Sequence, residues 1–273
     1  MHGCYKEDKM IEETKFGFEA AAQGGLNGND GRADAFAQGE GLDLATIPSE
    51  DEVDAAWCLR FLRAIRDVSF ATVDGDGLPS VRIIDVMMVT PDRLYFLAPR
   101  GKAFHEDVIR ERYVAIVGQT HDYRTCRLRG HVVRPADSKQ HALVDRIFEL
   151  NPSMNLLYPG DARYICDVFY IVKGQGEYFD LGQQPIFRKS FAIGETDNCT
   201  DGTFLITDAC IECGTCSKTC PEHCITPVEP YEIDQAHCLR CGICQEACPV
   251  QAVVKKRAEK RFKAAFGKNR LPN

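Results

Sequence analysis

Cys210-Ile211-Glu212-Cys213-Gly214-Thr215-Cys216-Ser217-Lys218-Thr219-Cys220-Pro221 recurs in pattern at Cys238-Leu239-Arg240-Cys241-Gly242-Ile243-Cys244-Gln245-Glu246-Ala247-Cys248-Pro249. Each run spaces its cysteines as C-x2-C-x2-C-x3-C-P. Gaps of two residues let one tight loop present three sulfurs to a common centre. The proline ends the loop and removes a backbone donor. A zinc site closes with four ligands in two C-x2-C pairs, and these runs exceed that need. A disulfide framework suits a small secreted domain, which a chain of 273 residues is not. The pattern therefore points to iron–sulfur ligation.

The two runs resemble bacterial 2[4Fe-4S] ferredoxins. In that pattern the fourth cysteine of each run serves the other cluster. The resemblance implies one [4Fe-4S] cluster on Cys210, Cys213, Cys216 and Cys248, and a second on Cys238, Cys241, Cys244 and Cys220. Phe204-Leu205-Ile206-Thr207-Asp208-Ala209 and Tyr231-Glu232-Ile233-Asp234 precede the runs like the short opening strands of two ferredoxin halves. Residues 203–254 thus read as an internal duplication. Domain boundaries follow: an irregular extension over 1–47, a central domain over 48–198, a ferredoxin domain over 199–254, and a basic tail over 255–273.

Six further cysteines, Cys4, Cys58, Cys126, Cys166, Cys199 and Cys224, are scattered singly, as in a reducing compartment. Cys224 reads as a small buried apolar group, with a spare-ligand or redox role as the alternative. The N-terminus has no apolar core like that of a signal peptide, and no run approaches the roughly 20 apolar residues that cross a membrane. A cytoplasmic protein without membrane partners is expected. The net charge of −7 is unevenly spread: residues 1–54 hold 13 acids against 4 bases, and residues 255–270 hold 8 bases against Glu259. Ala258, Phe262, Ala265 and Phe266 lie at helical spacing in that tail, so a surface helix is expected there rather than a nucleic-acid arm.

Gly25-Leu26-Asn27-Gly28-Asn29-Asp30-Gly31 lacks the preceding strand of a nucleotide loop, and 17–46 reads as irregular. Ser49-Glu50-Asp51-Glu52 is a capping box, and Val53, Ala56, Trp57, Phe61, Ala64 and Ile65 recur at helical spacing. Strands are expected at 68–73, 78–89, 93–97, 113–118, 125–133, 165–179 and 185–193, with helices at 102–112 and 137–150. Asp74-Gly75-Asp76-Gly77 makes the first hairpin turn. Many antiparallel strands with few helices argue for a barrel. The fold class is α+β: an antiparallel split β-barrel followed by a ferredoxin-type two-cluster domain.

The order of these elements over about 48–194 resembles the pyridoxamine 5′-phosphate oxidase-like FMN-binding split barrels. The segments that carry the likeness are Ser80-Val81-Arg82-Ile83-Ile84-Asp85-Val86 and Tyr95-Phe96-Leu97-Ala98-Pro99-Arg100-Gly101-Lys102-Ala103-Phe104-His105. The family's Ser-Arg-Lys is replaced here by Arg100-Gly101-Lys102. The resemblance implies FMN contacts from Arg82, Ile83, Ile84, Asp85, Phe96, Arg100, Lys102, Thr125, Cys126, Arg127 and Arg188, with the phosphate at a helix start. It also implies a homodimer with flavin at the subunit interface. The combination implies an oxidoreductase passing electrons between two clusters and FMN, to reduce or oxidise a small organic substrate. An external donor or acceptor would be a ferredoxin, a flavodoxin or an NAD(P)H-linked reductase. A non-catalytic electron carrier or redox sensor is the alternative, and a true pyridoxamine phosphate oxidase a third reading. No catalytic residue is assigned.

Overall fold

The computed structural model describes residues 31–39, 42–195, 203–229 and 231–256. Eight strands form one curled antiparallel half-barrel: β1 (Asp67–Val73), β2 (Pro79–Asp85), β3 (Met88–Thr90), β4 (Arg93–Pro99), β5 (Tyr113–Gln119), β6 (Arg124–Val133), β7 (Cys166–Asp180) and β8 (Phe187–Ile193). Their order is β2-β1-β5-β6-β7-β4-β3, with β8 also on β7. β7 is the spine. β6 pairs along one edge of it, while the other edge takes β4 over 166–171 and then β8 over 174–180. That change of partner splits the barrel. The chains approach closely where it happens. A Cβ on Gly174 would lie 2.5 Å from the Arg129 carbonyl oxygen, and one on Gly130 would lie 2.5 Å from that of Lys173. Both positions need glycine.

Helices α1 (Gly31–Gln38), α2 (Ala55–Ile65), α3 (Ala103–Glu111) and α4 (Asp137–Leu150) pack on this sheet. Only half of the Ser49 capping box forms: the Ser49 amide donates to Glu52 Oε2 at 2.8 Å, while the Glu52 amide goes to the Ser49 carbonyl. It closes a local turn rather than the helix. α2 starts later, capped by Asp54, whose Oδ1 accepts from the Trp57 amide at 2.7 Å. Val53, expected in the first turn, is buried in the core just ahead of this cap, so the chain enters the helix at Asp54. The start of α4 agrees with expectation. Gln140 accepts from the Val168 amide at 2.8 Å and donates to its carbonyl at 3.2 Å, tying α4 to β7. The return strand expected over 78–89 is two strands, because Val86 donates to the Arg66 carbonyl and Met87 to that of Tyr95.

Two cores result. One holds Cys58, Phe61, Leu62, Phe70, Phe96, Phe104 and Phe169 inside the curl. The other packs α4, through Val144, Ile147 and Phe148, onto Tyr95 and Val168. The extension expected to be irregular contains α1, whose Ala37 joins the second core and whose Asp34 pairs with Arg146. The expected helix over Ala258, Phe262, Ala265 and Phe266 lies outside the described residues, as do Cys4 and Cys199.

The C-terminal module folds as a duplication with a period of 28 residues, from Cys210 to Cys238. It contains β9 (Phe204–Ile206), α5 (Thr215–Thr219), β10 (Ile225–Thr226), β11 (Glu232–Ile233), α6 (Ile243–Glu246) and β12 (Val253–Lys255). β9 pairs with β12 and β10 with β11, so each small sheet takes one strand from each half. Backbone geometry repeats as well. Glu212 and Arg240 adopt φ of 58° and 57°, and Gly214 and Gly242 adopt 70° and 88°. Such left-handed residues turn backbone N–H groups inwards, towards the loop centre.

Candidate functional site

Two cavities open in this module. One is lined by Cys210, Cys213, Cys216 and Cys248; the other is lined by Cys220, Cys238, Cys241 and Cys244, with Cys224 beside them. In each cavity the fourth cysteine of one run lies with the first three of the other. This arises because the helices α5 and α6 carry the third cysteines inwards, while the ends of the runs cross to the opposite half. Cys216, Cys220, Cys238 and Cys244 are buried, and Cys213 and Cys241 reach the surface. Amides already point at sulfur: Glu212 to Cys210 at 3.4 Å, Arg240 to Cys238 at 3.3 Å and Ala252 to Cys248 at 3.2 Å. Hydrogen bonds of this kind stabilise thiolate charge and help set cluster potentials. Among the described residues no three His, Cys, Asp or Glu converge tightly enough for a single metal ion. Four sulfurs spaced around a void suit the corners of a cubane. Cys224, read as a buried apolar group, is buried, and its sulfur lies 3.5 Å from that of Cys220.

The residues expected at a flavin divide into three places. The first gathers around the start of α3. Arg82 lies over the Phe104 ring at 4.9 Å and reaches Thr72 at 2.5 Å, Ser80, and the buried carboxylate Asp107 at 3.5 Å. Lys102 is the exposed N-cap of α3. Arg100 is 47% exposed and bonds Asp167 at 3.2 Å. Asp167 also takes His105 at 2.8 Å and Arg134 at 2.7 Å. Burial opposes ionisation of Asp167, but Arg134, His105 and Arg100 outweigh it and hold its carboxyl at about 2.

The second place is the outer face of the sheet. Ile83 stands 61% exposed there, in line with Ser69 and Val117 on β1 and β5. Arg127 follows on β6, opposite Val117, and Thr125 shares its face. Arg127 bonds the buried Glu177 at 2.9 Å, and Arg188 bonds the same oxygen at 2.7 Å. Strand alternation therefore puts Arg82 and Arg127 on opposite faces.

The third group faces inwards. Phe96 is fully buried between Phe70, Phe104 and Phe169. Cys126 is fully buried, with its sulfur 3.9 Å from the Cys58 carbonyl oxygen. Ile84 packs on the core; Asp85, next to it at the end of β2, does not join it there and is held by the partly exposed Arg66 at 3.2 Å. Any contact from Phe96 or Cys126 to a ligand outside the core is left to their backbone groups.

Sequence reading gave no role to the buried carboxylates Asp107, Asp167 and Glu177. Each is the centre of a set of arginines. The signal available for Glu177 was its position on the polar face of β7, where it meets Arg127 across the ladder.

Residues 209–252 match the family model described as the 4Fe-4S dicluster domain. No curated protein matches the chain at the level that marks a relative. Solved structures similar to the barrel include a NimC/NimA family protein from Clostridium acetobutylicum, 22% identical, covering 51% of this chain and 92% of that one, at a TM-score of 0.43. A pyridoxamine 5′-phosphate oxidase-related, FMN-binding protein from Nostoc punctiforme is 19% identical, covering 56% and 100%, at 0.41. A protein named F420 reductase is 17% identical, covering 39% and 85%, at 0.34. No helix among the described residues is long and apolar enough to cross a membrane. The chain carries a 4Fe-4S dicluster domain at residues 209–252, behind an antiparallel half-barrel similar to the pyridoxamine 5′-phosphate oxidase-like split barrels.

Proposed function

We propose that this protein is an electron-transfer oxidoreductase in which two [4Fe-4S] clusters and FMN serve a small organic substrate. The observation that carries this reading is the pair of four-cysteine cavities, each completed by a sulfur from the other half. Two clusters so held would pass electrons one at a time. A flavin supplies the step between single electrons and a hydride equivalent. Lys102, the first-turn amides of α3 and Arg82 offer the cations and donors that a phosphate dianion needs. Buried Asp107 and Asp167 hold Arg82 and Arg100 in place from behind.

A second copy of the chain is supported by the outer face. Val81 and Ile83 on β2 and Val117 on β5 are 66%, 61% and 43% exposed on one face, with Ser69 and Ala71 of β1 between them. An apolar face of this kind is what a partner subunit covers. The external partner would be a one-electron protein donor or acceptor, or an NAD(P)H-linked reductase, and the setting cytoplasmic. The carrier or sensor reading shares the cysteine cavities but requires no bound flavin.

Anaerobic purification with iron, sulfide and released-flavin analysis separates these readings. About eight irons and one FMN per chain support the oxidoreductase. Eight irons with no flavin leave the carrier in its place. Lys102→Ala should release FMN while the iron content holds, and full flavin occupancy in that variant would refute the phosphate assignment.

A further inference from the structure

Glu177 is a buried carboxylate on β7 that three arginines share. Arg127 and Arg188 come from the barrel. The third, Arg240, comes from the C-terminal module and bonds Glu177 Oε2 at 2.7 Å, with its own side chain only 11% exposed. Arg240 stands between Cys238 and Cys241, and its amide points at the Cys238 sulfur. The neighbouring contacts come from the same side of the module. Glu222, two residues after Cys220, accepts from the Ile186 amide at 3.2 Å. His237, next to Cys238, meets Glu50 at 3.2 Å and faces the Phe187 ring at 6.5 Å. Ala236 packs against the barrel core. Each of these residues adjoins a ligand of the Cys220/Cys238/Cys241/Cys244 site. Among the described residues no hydrogen bond or ion pair joins Cys210–Thr219 to the barrel; their side-chain bonds stay within the module.

We propose that Glu177 is the socket that seats the module on the barrel, and that the Cys220/Cys238/Cys241/Cys244 site is consequently the barrel-side one. The Cys210/Cys213/Cys216/Cys248 site is then the outer one, where a one-electron protein donor or acceptor gains access. The assignment of the two sites to inner and outer rests on the reading of both as cluster sites; the seating itself does not. A guanidinium held by a buried carboxylate fixes both distance and orientation, because the planar fork allows few geometries. Arg127 and Arg188 bond Glu177 Oε1 from the barrel side and fix the carboxyl in place, leaving Oε2 for Arg240.

The test is hydrogen–deuterium exchange on the full chain, purified without air, with Glu177→Gln, Arg240→Gln and the double variant. The expected result is exchange about tenfold faster over 234–242 and 220–224 in each single variant, with 208–216 unchanged. The double variant should add little, since both substitutions remove one shared contact. Arg240→Gln keeps the backbone donor to Cys238 and spares the barrel interior, so it reports even if Glu177→Gln fails to fold. Unchanged exchange, or an equal rise around both sites, overturns the proposal. Iron analysis of the same samples is a separate readout. A preparation without iron would sink the cluster reading, while the exchange pattern would still decide the seating. In iron-loaded protein, Glu177→Gln should raise the midpoint potential of one cluster signal and leave the other, because a negative charge is lost beside one site only. Equal shifts of both signals would overturn the inner and outer assignment.

Discussion

Replacing Asp167 by Asn should remove a pH-dependent part of the stability of the half-barrel. Asp167 sits at the start of β7 with its side chain 3% exposed, and accepts from Arg134, His105 and Arg100. Its pKa falls from an ordinary 3.8 to about 2. By linkage, that fall corresponds to about 2 to 3 kcal/mol at neutral pH. A fully enclosed pair broken on one side would cost about 3–5 kcal/mol. The smaller figure applies here, because Arg100 and Arg134 are 47% and 29% exposed and can turn to water. Folding lowers this pKa, so the stabilisation is whole above the unfolded value. It drains away as pH falls through 4 towards 2. The assay is urea unfolding of both proteins from pH 7 downwards, followed by the fluorescence of Trp57. That residue is the only tryptophan and stacks on Phe61 in the barrel core. The gap between wild type and Asp167→Asn should be about 2 to 3 kcal/mol at pH 7 and close towards pH 2. A gap that stays constant with pH, or no gap at pH 7, would refute the argument that Arg134, His105 and Arg100 depress this carboxyl.

Gly176→Ala should cost at least about 1–3 kcal/mol by overpacking, read from the urea midpoint. Its Cβ would fall 2.1 Å from Phe191 Cζ and 2.6 Å from the Arg127 carbonyl oxygen, and the second neighbour is backbone that cannot step aside. Asn151→Ala should cost about 3 kcal/mol in the same assay. Asn151 is buried, accepts from Arg63 at 2.8 Å and donates to the Met87 and Ile147 carbonyls, so three buried partners lose their bonds. Cys213→Ser lies at an exposed position and should leave the fold intact while lowering iron to about half, measured on anaerobic protein. Iron that stays at the wild-type level would remove Cys213 from the ligand set.

The cysteine spacing made the module legible because thiolate geometry tolerates little variation. The expectation that Cys220 and Cys248 stand in opposite cavities came from the resemblance to the ferredoxins, not from the spacing itself. The barrel was legible through strand alternation, which survives in β5 and β6. What alternation could not supply was the branching at β7. Its ladder partners change from β4 to β8 in mid-strand; Gly174 stands where they change, but a glycine in a strand does not name the new partner. Lys102 was legible as the residue at a helix start. Arg127 and Arg188 stood out in the sequence as strand cations, yet their shared carboxylate, Glu177, is near in space only after three strands have paired. The helix α1 escaped because its Gly- and Ala-rich sequence has a weak apolar stripe. Contacts such as Phe36 under Arg60 hold it instead.

The duplication that builds the two cavities also dictates the order in which they can exist during synthesis. Cys210, Cys213 and Cys216 leave the ribosome first, but their fourth sulfur, Cys248, follows Cys210 by 38 residues. Cys220 likewise waits for Cys238. Neither site can close on the first half alone, and both strands that pair with β9 and β10 belong to the second. Completion of either four-cysteine cavity is therefore a late event, shared by both. A chain cut between the two runs would be born with no complete site at all, rather than with one of two.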